Sequence, residues 1–306
     1  MGWTEGEWHE STTSIDPEAF RSPRDRSAAR DRSPIPEVGV ENAAPGLLDR
    51  PAENLAAIGL SIVLPALNEE RGVAAVLRRI PRQGLRRLGY SATIYLLDGR
   101  STDRTRAVAE RLGASVFVQS GRGKGSAFRE FVPTITERFT VVLDSDGTYP
   151  PEMIPRLVKK LRAGNPVVVG SRIRGSIERG AMSNANLLGN RLLSGFASLL
   201  FRTRISDVCS GMWAFDSGKL KSLGLTAEGF ELEADIFAEC SLQGIPIVEI
   251  PIPYSKRIGE PKLRLREGLR IAFALLRKRI HGKEPRPVEP IVAERTEIFG
   301  PAGPEA

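Results

Sequence analysis

The chain is poor in the residues on which most metal-thiolate and imidazole chemistry depends. It has two cysteines, Cys209 and Cys240, and two histidines, His9 and His281, in 306 residues. Two cysteines this far apart fit no zinc-ligand spacing, and they read as buried free thiols in a reducing compartment. No histidine falls between residues 10 and 280. A general base from the body of the chain would therefore be a carboxylate, with Asp207, Glu231 and Glu233 as candidates. Aromatic residues are scarce, at 6%, and no stacking platform for nucleic acid is visible. No apolar run approaches the ~20 residues of a transmembrane helix. The acidic, polar start lacks the pattern of a signal peptide. What is present is the composition of a soluble globular protein, 41% hydrophobic and 26% charged.

Charge is plentiful and uneven. Residues 1–57 carry six arginines and eleven acids, whereas the remainder carries 38 Lys/Arg against 26 acids. A basic body points to a polyanionic partner: nucleic acid, a phosphorylated metabolite or an anionic membrane. The first 57 residues, rich in Ser, Pro, Arg and acids, read as a disordered tail.

From residue 58 short apolar runs alternate with helical patterns. "IGLSIVLPAL", "SATIYLLD", "SVFVQ", "FTVVLD" and "PVVVGSR" read as strands. Between them fall helices over 68–83, with Asn68 as cap, and over 101–113, 123–132 and 150–164. This rhythm predicts an α/β fold with a mostly parallel, twisted sheet flanked by helices. Ligands of such sheets bind at the strands' carboxyl ends, where Asp98, Asp144, Asp146 and Arg172 fall. Later segments give a helix over 184–201, a strand and turn over 207–220, a helix over 231–244 and an edge strand over 246–255. A basic amphipathic helix follows over 262–280, then a flexible tail over 284–306.

Asp144 and Asp146 leave a strand end two residues apart and point the same way. Unpaired, they would repel. A divalent cation removes that repulsion, and oxygen ligands suit Mg²⁺ or Mn²⁺ completed by a diphosphate. A helix cap or a solvated turn is the alternative reading. "GRGKG" at 121–125 offers a basic, glycine-rich turn before a helix, suited to an anion, or an ordinary flexible turn. Arg172 adds a bidentate phosphate donor.

The ordered set "VLPALNEE", "LLDGRSTDRT", "GRGKGSA", "VVLDSDGTYPPEMIPRL", "VVVGSR", "GNRLLS", "DVCSGMWAF", "GFELEADI" and "EIPIPYSKRIGEPKLR" resembles family 2 glycosyltransferases with the GT-A fold over residues 58–275. The dolichol- or polyprenyl-phosphate sugar synthases are the branch it resembles most. The resemblance implies a GT-A domain over 58–255 and a basic acceptor loop and amphipathic helix over 256–283. It implies that Pro65, Leu67, Asn68, Glu69 and Asp98 line the nucleotide. Lys124, Asp144, Ser145, Lys256, Arg257 and Lys262 would complete the nucleotide-sugar site, the last three on a segment that closes over the diphosphate. Asp144 and Asp146 would hold the metal. Asp146, Arg172 and Arg191 would carry catalysis, the arginines on the acceptor side. Gly99 stands where the family usually has a second aspartate, and Thr148 where a glutamine often joins the metal site.

These residues together imply an inverting, metal-dependent transfer of a hexose from a GDP- or UDP-linked donor to a polyprenyl phosphate. The expected location is cytoplasmic, peripheral on the inner face of the cell membrane, with the basic helix on anionic lipid, in cell-envelope glycan synthesis. The alternatives are a soluble phosphorylated acceptor, as in glucosyl-3-phosphoglycerate synthases, a glycan hydroxyl, or an inactive scaffold binding nucleotide sugar or membrane. The intact Asp144/Asp146 pair and Arg172 argue against the scaffold. Nucleic acid is not an expected partner.

Overall fold

The computed structural model describes residues 57–259 and 265–282. Apart from residue 57, the expected N-terminal tail lies outside the described residues, as do the tail over 284–306 and Lys262 in the acceptor loop. In chain order the elements are β1 (Ile58–Ala66), α1 (Glu70–Arg79), α2 (Arg82–Arg87), β2 (Tyr90–Asp98), α3 (Thr105–Arg111), β3 (Ser115–Val118), α4 (Lys124–Phe131) and β4 (Phe139–Leu143). There follow α5 (Ile154–Arg162), β5 (Val167–Ser171), α6 (Asn184–Phe201), β6 (Met212–Asp216), α7 (Ser217–Ser222), α8 (Leu232–Leu242), β7 (Ile247–Pro251) and α9 (Leu265–His281).

The seven strands form one sheet in the order β3-β2-β1-β4-β6-β5-β7. Only β6 runs antiparallel to its neighbours, β4 and β5. Because side chains alternate across a strand, each strand feeds two cores. Ile62, Leu64, Val141, Leu143 and Met212 pack on one face, with Val73 and Val76 of α1 and Leu157 of α5. Val63, Val142, Trp213 and Phe215 pack on the other, with Phe128 of α4, Ala197 of α6, Phe237 of α8 and Leu275 of α9.

Two local expectations need correction. The helix over 68–83 is two helices, broken at Ile80-Pro81, where the residue before a proline is driven out of helical geometry. Asn68 is not its cap. It sits in the left-handed region, with φ of 50°, and its Oδ1 accepts from the Thr102 backbone N–H at 2.8 Å. The N-terminus of α1 is instead served from the start of α3 and the loop before it: Glu70 N–H donates to Asp103 and Glu69 N–H to the Thr105 hydroxyl.

Candidate active site

The parallel strands β1, β2, β4 and β5 end on the same side of the sheet. Beyond their ends lies a cavity of about 540 Å³ whose lining includes Pro65, Leu67, Glu69, Lys124, Asp144, Ser145, Asp146, Arg172 and Arg257. Nine of the residues expected at the site from sequence therefore meet there. Tyr149, Cys209, Phe230, Glu233, Tyr254 and Ile271 also contribute to the wall.

The two aspartates after β4 are each paired with a basic side chain of the chain itself. The Lys124 ammonium donates to Asp144 at 2.6 Å and also to Glu233. Burial opposes the charge on Lys124, but the two carboxylates outweigh it and hold the ammonium above its ordinary range. Burial, with Asp144 close by, pushes Glu233 up. Asp146 accepts from the Thr148 hydroxyl at 2.6 Å and the Thr148 N–H at 3.0 Å through one oxygen, and from Arg257 at 2.5 Å through the other. The second guanidinium nitrogen of Arg257 holds Glu69. Like-charge repulsion is thus relieved by Lys124 and Arg257, in positions where a divalent cation was expected to relieve it.

Glycines let these groups converge. Gly123, with φ of 94°, opens α4 where a Cβ would collide with the Glu228 carbonyl, so "GRGKG" is a packed junction rather than a flexible turn. Gly211 lies directly against the Asp144 carboxylate, leaving no room for a side chain.

At the end of β5 a different cluster forms. Asp207 is fully buried. One oxygen accepts from Arg172 N–H at 2.9 Å and Nε at 2.8 Å; the other accepts from the Arg172 terminal nitrogen and from Asn190 Nδ2, both at 2.6 Å. Burial alone would raise the Asp207 pKa, but Arg172 and the hydrogen bonds hold it below the ordinary aspartate range. The guanidinium carbon of Arg172 lies 5.1 Å from the centre of the Tyr254 ring and 5.8 Å from that of Tyr149, a cation–π cage. Asp207 orients Arg172 and has no oxygen left for a general base. Nearby, burial pushes the Cys209 thiol up to about 12. Both cysteines are free.

Four of the expected site residues that the structure describes do not reach the cavity wall. Asn68 is exposed and turned to the Thr102 N–H. Asp98 is fully buried; its carboxylate accepts from Ser101 N–H at 3.1 Å and faces Arg106 at 3.6 Å. Strand alternation explains this, because Leu97 and Gly99 line the cavity and the residue between them turns to the other face. Arg191 is exposed on α6, one position beyond the buried Asn190. Lys256 is exposed and pairs with Glu178 at 3.7 Å. Sequence reasoning missed the Tyr149/Tyr254 cage, although Tyr149 sits inside the motif after β4. It also left Glu233 outside the binding set.

The donor set can be tested for a divalent ion. Among the described residues no group of three or more His, Cys, Asp or Glu is arranged to hold one. One or two carboxylates completed by substrate phosphate oxygens is the mode in which Mg²⁺ is usually held. Asp144 and Asp146 fit that mode.

Comparison with known proteins gives the family and the fold. The sequence model for glycosyl transferase family 2 matches residues 61–224. The dolichyl-phosphate hexose transferase of Haloferax volcanii is 34% identical over 204 residues, 67% of this chain and 86% of that protein. Glycosyltransferase AglJ of the same organism is 34% identical over 197 residues, 64% of this chain; the chain covers 63% of AglJ, under two thirds of its length. Among solved structures, glucosyl-3-phosphoglycerate synthase of Mycobacterium tuberculosis in complex with Mn²⁺, UDP-glucose and phosphoglyceric acid superposes with a TM-score of 0.57 at 25% identity, covering 73% of this chain and 80% of that one. With most of the chain accounted for by these matches, it belongs to glycosyl transferase family 2 and has the GT-A fold.

Proposed function

We propose that the enzyme transfers a hexose from a nucleotide diphosphate sugar to a polyprenyl phosphate, with inversion at the anomeric carbon. One observation carries this reading: every carboxylate lining the cavity is already paired with a cation. Glu69 and Asp146 hold Arg257, and Asp144 and Glu233 hold Lys124. Asp207, behind the wall, holds Arg172. A hydroxyl acceptor would need a base to remove its proton. A phosphate monoester has a second pKa near ~6 and arrives largely ionised; it needs a cation to hold it, which Arg172 supplies.

On the donor side, Asp144 and Asp146 would hold Mg²⁺ or Mn²⁺, which supplies charge to the departing diphosphate. Arg257 blocks one oxygen of Asp146. Its guanidinium would move to the incoming diphosphate and release that carboxylate, while Lys124 stays buried against Asp144. Leu67 and Pro65 line the base end of the cavity in this reading. The relative named dolichyl-phosphate hexose transferase supports a polyprenyl acceptor, and the basic helix α9 supports a position on the anionic, cytoplasmic face of a membrane. A soluble phosphorylated acid is the second reading, favoured by the likeness to glucosyl-3-phosphoglycerate synthase.

The test offers radiolabelled UDP- and GDP-sugars with Mn²⁺ to the purified enzyme, together with a polyprenyl phosphate or 3-phosphoglycerate. Label extracted into butanol only with the lipid phosphate is the expected result. Label only on the water-soluble ester would install the second reading, and transfer to an unphosphorylated alcohol would overturn the role of Arg172.

A further inference from the structure

Twelve large apolar side chains stand exposed among the described residues, and eight of them lie on two helices. On α6 they are Leu188, Leu192, Phe196 and Leu199; on α9 they are Leu269, Phe273, Leu276 and Ile280. Each set recurs at three- and four-residue steps, one stripe per helix. The helices are neighbours: Gly268 of α9 lies beside Leu193, and Arg279 Nε donates to the Leu200 carbonyl at 3.3 Å. Each helix turns its other side inward, α6 through Asn190, Ser194, Ala197 and Phe201, α9 through Ile271 and Leu275. With inward faces on the same core and flanks in contact, the two outward stripes lie side by side. Scattered exposed apolar residues need no explanation, but a contiguous set does.

We propose that α6 and α9 together form one membrane-docking face whose occupant is an anionic lipid bilayer. This goes beyond a basic C-terminal helix, because α6 is the apolar half and has one charged residue, Arg191, in eighteen positions. Charge selects the occupant. No acid occurs from residue 184 to 205, which contains Arg191, Arg202 and Arg204, all exposed. On α9 Glu267 is the sole acid, 3.3 Å from Arg270, and Arg277 is exposed. A second copy docked two-fold on this face would set these arginines against themselves. Anionic headgroups would meet them favourably, with the leucines and phenylalanines below headgroup level. Among the described residues no helix is long and apolar enough to cross a membrane, so the contact is interfacial. The face is also linked to the acceptor arginine, since Asn190 on the inner side of α6 holds Asp207, which holds Arg172. In that respect the inference rests on the phosphate-acceptor reading; the docking itself does not.

Vesicle flotation of the full-length enzyme without substrate tests the face. Wild type should float with phosphatidylcholine vesicles containing phosphatidylglycerol and less well with phosphatidylcholine alone. Leu199 and Leu269 are 81% and 78% exposed, so Leu199→Glu and Leu269→Glu leave the core untouched. Each should reduce partitioning roughly tenfold or more, the loss expected for keeping one leucine out of an apolar phase. Failure of wild type to float, glutamate variants that float equally well, or variants that instead change oligomeric state in sedimentation would each overturn the proposal. A separate arm uses a short, water-soluble prenyl phosphate without vesicles. Both glutamate variants should glycosylate it at the wild-type rate; loss of that activity would count against a face distinct from the catalytic centre. If no variant and no wild type uses any prenyl phosphate, the acceptor reading fails while flotation still decides the docking.

Discussion

Arg172 follows β5 and Arg257 follows β7, and both hold carboxylates at one cavity, but the two pairs are built differently. Arg172 and Asp207 are buried, share three side-chain and backbone hydrogen bonds, and are enclosed by Asn190, Tyr149 and Tyr254. Arg257 has a quarter of its side chain exposed, and its Nε has no hydrogen-bond partner among the described residues. It reaches across the cavity from a loop to two acids on separate strand ends. A buried ion pair joined by several hydrogen bonds is expensive to break and stays put. A partly exposed guanidinium on a loop can pass from its carboxylates to an arriving phosphate, which it binds in the same forked way. The first geometry suits a fixed acceptor clamp, the second a group that changes partners in each turnover.

Substitutions on the exchangeable side should show the largest effect on turnover. Asp146→Ala removes the acid that would face the departing diphosphate, and turnover should drop by roughly 10³-fold or more with an unchanged circular dichroism spectrum. Arg257→Ala separates exchange from structure. It should lower turnover about 10–100-fold and raise the affinity for Mn²⁺ without donor roughly tenfold in titration calorimetry. An unchanged Mn²⁺ affinity would mean that Arg257 and the ion do not compete for Asp146.

The fixed side should respond in stability. Asp207→Ala strands the Arg172 charge in the interior and should cost about 3–5 kcal/mol in urea unfolding, with activity lost as well. The pH dependence has a definite sign. The folded state holds Asp207 below the usual aspartate value of 3.8. Its contribution is therefore complete above that value and is lost as pH falls through the lower, folded one. The advantage of wild type over Asp207→Asn should be flat at neutral pH and shrink only under strong acid. An advantage that instead grows toward low pH would contradict the pairing.

Much of this arrangement was legible in the sequence, because the chain advertises strand ends. The alternation of apolar runs with helices gave the parallel strands, and the D-x-D and G-S-R stretches gave Asp144, Asp146 and Arg172 at their ends. The antiparallel β6 has no local signature; it is set by which neighbours its Trp213 and Phe215 pack against. Pairings between distant positions were likewise hidden. Lys124 and Glu233 are 109 residues apart, and Arg257 and Glu69 are 188 apart. Nothing local indicates that Arg257 would sit on Asp146, or that two tyrosines from different segments would enclose Arg172. Where motif spacing misled, backbone phase was the reason. On the basic helix α9, Lys278 turns inward to Asp235 and Glu239 at 2.7 and 2.8 Å.

The smallest expected effects sharpen the comparison from the other direction. Motif position assigned Arg191 and Lys256 to the acceptor and diphosphate, next to residues that do reach the interior. A step of one residue turns a helix by about 100°, so with Asn190 facing Asp207, Arg191 faces solvent. Lys256 precedes Arg257 in an extended segment where successive side chains alternate, and it pairs with Glu178 at the surface. With a soluble phosphate acceptor, Arg191→Ala and Lys256→Ala should each leave kcat and KM within about twofold of wild type, whereas Asn190→Ala should lower kcat by roughly tenfold through loosened Asp207 and Arg172. A reversed order, with Arg191→Ala severe and Asn190→Ala silent, would show that α6 works in a different phase during turnover and that the fixed clamp is not fixed.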